Sequence, residues 1–260
     1  YPDKITCIET FPGIFSSTSY LGTLRHLVKG GSYITTGKRK ASMFCYGSTV
    51  GCTTHPKFMI ENQQKILPRP YRESKPGKFG YDVVRTEWMQ SFLKECECCV
   101  IHYLHNICKE KAKSKLTLFS ISIAKELIPD SLRLGDTFFT HMTVFGTYSK
   151  EDGEMPLHYD ENDVISCVFH LGEVSRGGGT VYYDGVKPAK PGKLILEVPF
   201  RHGTLQIGFF KDILHGVKAW NGHRCGIQLN LKKRYWNILS LTETNSLKNI
   251  IIMDTQEVLS

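Results

Sequence analysis

Residues 156–171 read Pro-Leu-His-Tyr-Asp-Glu-Asn-Asp-Val-Ile-Ser-Cys-Val-Phe-His-Leu. A short extended segment ends at His158, a polar break follows, and a β-branched and aromatic run occupies Val164–Leu171, which is the composition of a buried strand. The same rhythm continues to both sides. Strands are predicted at 138–148, 156–158, 164–171, 180–183, 193–198, 204–208, 213–217 and 224–231. Turn signals separate them at Glu151-Asp152-Gly153, Gly177-Gly178-Gly179, Pro191-Gly192 and Asn221-Gly222. Eight short strands in succession predict a double-sheet jelly roll (double-stranded β-helix), which buries its interior between two sheets.

Upstream the period changes. Trp88, Met89, Phe92, Leu93, Cys96, Cys99, Val100, Tyr103, Leu104 and Ile107 recur in steps of three and four, the mark of one buried helical face, with Thr86 as N-cap and an end near Lys113. A second helix is expected over Leu116–Leu127, stopping before Pro129. The fold class is therefore α+β, mainly β, with supporting N-terminal helices. The expected division is a basic N-terminal extension at 1–135, the jelly-roll core at 136–237 and a C-terminal segment at 238–260. Pro68, Pro70 and Pro76 among basic residues make 66–77 an exposed loop.

Within the strand region, residues two apart on one strand point the same way, so His158 and Asp160 can converge on one ion. His215, 55 residues after the aspartate, sits on a later strand and can close the set. Two imidazoles and one carboxylate on one face of a metal leave open positions, the arrangement that ferrous iron needs to bind a co-substrate and oxygen. His-x-Asp alone is a weak signal; its position at a strand end gives it weight. Arg224, nine residues after His215, opens the last strand, on which Arg224, Gly226, Gln228 and Asn230 alternate with Cys225, Ile227, Leu229 and Leu231. A polar strand face turned into a barrel marks a ligand cavity, and an Arg there suits a carboxylate.

The order His-x-Asp, then His, then Arg nine residues on resembles the iron(II)/2-oxoglutarate-dependent dioxygenases, and within them the prolyl-hydroxylase type. The resemblance covers roughly residues 138–235 and includes the Ile165–Leu171 strand and the Gly177-Gly178-Gly179 turn; residues 1–135 resemble no family we recognise. It implies His158, Asp160 and His215 as iron(II) ligands, with Arg224 and Tyr148 binding the far carboxylate of 2-oxoglutarate. It further implies dioxygen as oxidant, with ascorbate a candidate reductant. The expected reaction is hydroxylation of a C–H bond coupled to conversion of 2-oxoglutarate to succinate. One departure is that a position often filled by a second co-substrate-binding Tyr falls on His170. His141, His202 and His223 have no matching role.

The substrate is expected to be macromolecular. A protein side chain of prolyl type comes first on the resemblance. A nucleic-acid base or methyl group comes second on charge, and a small molecule third. The net charge of +8 is uneven: residues 1–135 carry +9 and residues 136–260 carry −1. Lys38-Arg39-Lys40 and Lys109, Lys111, Lys113 and Lys115 cluster basic charge that can attract nucleic acid, with Tyr46, Tyr71 and Phe79 as stacking candidates. A non-catalytic metal-containing module is the alternative from another class, although the metal set is intact. Nine cysteines, without framework spacing, point to free thiols and a reducing, intracellular setting. No apolar run approaches the roughly 18 residues of a membrane span. Oligomeric state is not legible.

Overall fold

In the computed structural model, which describes residues 9–10, 42–49, 69–70, 77, 79–110, 133–147, 152–186 and 190–232, the helical periodicity becomes α1 (Phe79–Val84) and α2 (Glu87–Glu110). Thr86 occupies the junction. Its carbonyl accepts the Gln90 amide at 3.0 Å, as an N-cap carbonyl does. Its hydroxyl, however, donates back to the Val83 carbonyl at 2.7 Å, closing the α1–α2 turn instead of serving the amides of the first helical turn. Met89, Phe92, Leu93, Cys96, Val100, Tyr103 and Leu104 are all buried, so the stripe read from the sequence is the packed face. No described helix is long and apolar enough to cross a membrane. The helix expected at 116–127, the Lys38-Arg39-Lys40 run, Lys111, Lys113, Lys115 and Tyr71 lie outside the described residues.

Ten strands follow one antiparallel pairing scheme. They are β1 (Glu9–Thr10), β2 (Ser42–Thr49), β3 (Arg69–Pro70), β4 (His141–Thr147), β5 (Asp152–His158), β6 (Asp163–Gly177), β7 (Thr180–Val186), β8 (Lys190–Val198), β9 (Thr204–Gly208) and β10 (Leu214–Lys232). The main order is β1-β9-β6-β10-β4-β2-β3, while β5 and β7 also pair with β10 and β8 with β7. Strands from the first 70 residues thus join both margins: β1 lies on β9 and β2 on β4. The sequence predicts no strand in those residues and makes 66–77 an exposed loop, within which β3 falls.

A second difference concerns Asn221-Gly222, read as a turn between two strands. The two are one continuous strand, β10, with a register shift at Asn221/Gly222. Gly222 has φ +122°, and a Cβ there would come within 2.5 Å of the Glu173 carbonyl oxygen. Glycine is needed, but for a bulge that bends the strand rather than for a reversal. Before the bend β10 pairs with β5 and β7, and with β6 from Trp220 on; after it, with β4 and β6. One strand therefore serves two four-strand sets, β9-β6-β10-β4 and β5-β10-β7-β8.

Cross-strand partners share a face, so the registers define the lining of the first set. On one face lie Phe145, Thr143 and His141 of β4, opposite Gly226, Gln228 and Asn230 of β10. His170, Val168 and Ser166 of β6 come next, then Thr204, Gln206 and Gly208 of β9. On the other face Val144, Ile165, Cys167, Phe169, Leu171, Leu205, Ile207, Ile227 and Leu229 form one apolar cluster with α2. Phe92 of α2 meets Phe169 with ring centroids 5.4 Å apart. Glu97, 6% exposed on the same helix, accepts the Phe138 amide through Oε1 at 2.8 Å, fixing the approach to β4. Glu97→Ala should strand that amide and lower unfolding stability by about 1–3 kcal/mol. Urea denaturation checks this, and an unchanged midpoint would mean the amide finds another acceptor.

Candidate metal centre

β5 ends at His158, and His215 is the second residue of β10; the two are direct cross-strand partners. Their side chains consequently share a face, with ring centroids 4.4 Å apart. Asp160 is not on the strand, contrary to the reading from two-residue alternation. It lies in the turn after β5, where its amide donates to the Phe210 carbonyl at 3.2 Å and its carbonyl accepts the Asp163 amide at 3.0 Å. The turn brings Oδ1 to 3.5 Å from His158 Nε2 and Oδ2 to 3.7 Å from His215 Nε2. One ligand atom from each of the three lies within 4.8 Å of the others.

The hydrogen bonds behind these atoms decide their chemistry. His158 Nδ1 lies 2.8 Å from the Pro156 carbonyl and His215 Nδ1 lies 3.0 Å from that of Ile213. A carbonyl only accepts, so each Nδ1 carries a hydrogen and each Nε2 is the ring nitrogen turned to Asp160. Burial, followed by the opposing influences of Asp160 and His158, brings the His215 pKa down to about 4, which keeps that imidazole neutral. Gln228 of β10 donates from Nε2 to Asp160 Oδ2 at 2.6 Å. Two imidazoles, each fixed by a backbone carbonyl, and an anchored carboxylate form a donor set suited to a divalent transition metal.

Beside them is a hollow bordered by Phe145, Met155, His158, Val168, His170, Thr180, Tyr182, Gln206, Phe210, His215, Val217 and Gln228. Tyr182 donates to Gln206 Oε1 at 2.6 Å and stacks near His215, centroids 6.1 Å apart. Arg224 lies behind His170. It is 1% exposed, and Nη2 donates to His170 Nδ1 at 3.1 Å. Since a guanidinium cannot accept, His170 holds its own hydrogen on Nε2; burial, then the Arg224 charge, keeps this imidazole well below its usual pKa.

Arg224 Nε and Nη1 have no hydrogen-bond partner among the described residues. The guanidinium instead sits among rings, 5.1 Å from Trp220, 5.7 Å from Phe200 and 5.9 Å from Phe145. Burial lowers its pKa to about 10. A wholly buried cation without a carboxylate is costly unless an anion completes it. The chain's residues thus fit both a metal and an anionic ligand. Tyr148 lies outside the described residues. His170, Gln206, Tyr182 and the role of Gln228 were not singled out from the sequence; the polar alternation of β10 was the available signal for Gln228.

No family model matches the chain, and no curated protein matches its sequence. Among solved structures, it is similar to a 2OG-Fe(II) oxygenase family oxidoreductase from Burkholderia pseudomallei at 15% identity, over 35% of this chain and 41% of that one, with TM-score 0.27. The match therefore spans less than half of that chain's length. A prolyl-4-hydroxylase from Pseudomonas putida matches at 10% identity over 86% of this chain and 92% of its own, TM-score 0.43. A prolyl hydroxylase from Trichoplax adhaerens, in complex with a hypoxia inducible factor oxygen degradation domain peptide fragment, matches at 11% identity over 89% and 86%, TM-score 0.44.

Proposed function

We propose that this chain is a jelly-roll iron(II)/2-oxoglutarate-dependent dioxygenase that hydroxylates a C–H bond of a macromolecular substrate, a protein side chain of prolyl type. The observation that carries the reading is the buried Arg224 guanidinium, whose Nε and Nη1 have no hydrogen-bond partner among the described residues and whose Nη2 donates to His170, a lining residue of the hollow that His158 and His215 also border, with Asp160 between their Nε2 atoms. A metal-storage site would need the three ligands and not the buried cation.

In this reading His158, Asp160 and His215 hold iron(II). Bound there, iron would supply the oxygen-activating redox chemistry that no side chain of the site can perform. The residues of the chain bind and orient. The Nε and Nη1 groups of Arg224 grip the far carboxylate of 2-oxoglutarate, and the Nε2–H of His170 takes the place of the hydroxyl that a tyrosine would offer. Phe145, Met155, Val168 and Val217 keep the hollow largely apolar, which excludes water and strengthens the Arg–carboxylate attraction. Tyr148 is proposed to add one hydrogen bond to that carboxylate. Tyr148→Phe should accordingly weaken 2-oxoglutarate binding by about 2- to 10-fold, the equivalent of roughly 0.5–1.5 kcal/mol. Calorimetry on the manganese-loaded protein would read it, and an unchanged affinity would remove Tyr148 from the site.

The test of the function is anaerobic reconstitution with iron(II), followed by succinate production from 2-oxoglutarate in air. Parallel samples contain proline-rich peptides or methylated oligonucleotides. Iron-dependent succinate stimulated by the peptides supports the proposal. Stimulation by the oligonucleotides instead would transfer the substrate to nucleic acid, and bound metal without succinate would point to a binding module.

A further inference from the structure

We infer that Gln228 is a positioning residue for the metal centre: its side-chain amide holds Asp160 as a one-oxygen ligand and so keeps a coordination position open. The inference rests on the metal-centre reading above. Gln228 lies on the inner face of β10, opposite Thr143 of β4 and Val168 of β6, and lines the hollow. Its Nε2 reaches Asp160 Oδ2 at 2.6 Å across 68 residues of sequence. The direction of this bond is dictated by chemistry. An ionised carboxylate only accepts, so the amide nitrogen faces it.

The backbone of Asp160 is fixed independently, by its bonds to Phe210 and Asp163. Gln228 therefore does not place the residue; it selects between the two oxygens. Both oxygens lie near an imidazole, Oδ1 3.5 Å from His158 Nε2 and Oδ2 3.7 Å from His215 Nε2, but the short, charge-assisted hydrogen bond occupies Oδ2 and leaves Oδ1 as the oxygen offered to the ion. A carboxylate chelating through both oxygens would take two positions. An octahedral ion bound by two imidazoles and one carboxylate oxygen keeps three, which is what a bidentate keto acid plus dioxygen require. The β10 alternation that delivers Arg224 to the anion slot thus delivers Gln228 to the metal ligand.

The test uses manganese(II) as the probe on the full chain, with isotope-edited infrared difference spectra of aspartate-labelled protein. One-oxygen ligation widens the separation between the asymmetric and symmetric carboxylate stretches, and two-oxygen ligation narrows it. The wild type should show the wide separation. Gln228→Met, which keeps the unbranched shape and removes the donor, should narrow it and weaken manganese affinity about 10- to 100-fold. A narrow separation in the wild type overturns the inference whether or not the variant folds. So does a Gln228→Met protein with wild-type affinity and separation; in both cases the metal-centre reading stands. A wild-type chain that binds no manganese would remove that reading, and this inference with it.

Discussion

Asp160→Ala protein, reconstituted with iron(II), is expected to produce succinate only at background. Loss of an outer-shell partner of a metal ligand costs about 10- to 100-fold, so loss of the ligand itself should exceed the upper end of that range. The expectation follows from geometry. Asp160 is the only acid that the structure brings against both His158 Nε2 and His215 Nε2 among the described residues, at 3.5 and 3.7 Å. The two imidazoles would remain, each still held by its own backbone carbonyl, but two neutral nitrogens bind a divalent ion far more weakly than two nitrogens and an anion. The fold should survive, because Asp160 and its partner Gln228 are both only half-buried. Succinate assays with circular dichroism alongside would check both halves. Retained iron-dependent turnover in a folded variant would refute the assignment of the metal ligands.

Arg224→Met should separate function from stability in opposite directions. The guanidinium is the proposed grip on 2-oxoglutarate, and charge-assisted bonds of this kind are worth about 1.5–3 kcal/mol. Removing them should weaken co-substrate affinity roughly 10- to 100-fold while leaving manganese affinity near the wild-type value. Without ligand, the same guanidinium is a buried cation whose Nε and Nη1 are unpartnered and whose pKa burial holds at about 10. Its one described acceptor, His170, is neutral, so substitution strands no opposite charge. The ring box of Trp220, Phe200 and Phe145 accepts an unbranched thioether. The ligand-free variant should therefore melt higher, by about 2–4 °C for each kcal/mol relieved. A lower melting temperature with unchanged 2-oxoglutarate affinity would make Arg224 a structural residue.

Local signals carried much of this molecule. The buried face of α2 was written in steps of three and four, and five of the strands after residue 140 coincide closely with alternating or β-branched runs. That His158, Asp160 and His215 could meet was legible from their placement at strand ends. What the sequence obscured was non-local. Nothing near His170 indicates Arg224, 54 residues away, because that contact is set by the β6–β10 register. The Asp160–Gln228 bond spans 68 residues and depends on the same pairing. Asn221-Gly222 misled for a different reason. A glycine with positive φ serves a bulge as well as a turn, and the decision between them is made by neighbouring strands. Likewise β2 and β1 lie toward the two margins, and their extended form depends on β4 and β9.

The bent strand β10 also has a consequence for how the molecule comes apart. It is hydrogen-bonded to β5 and β7 before Gly222, to β4 after it and to β6 on both sides, and it carries His215, Arg224 and Gln228. Neither strand set can open along β10 without loosening the seat of the other, so the two behave as one cooperative unit rather than as separable foldons. In hydrogen exchange, the amides on both sides of the bend should become accessible together. A partly opened chain that keeps His158, Asp160 and His215 together yet has released the proposed anion grip of Arg224 would have no route to form.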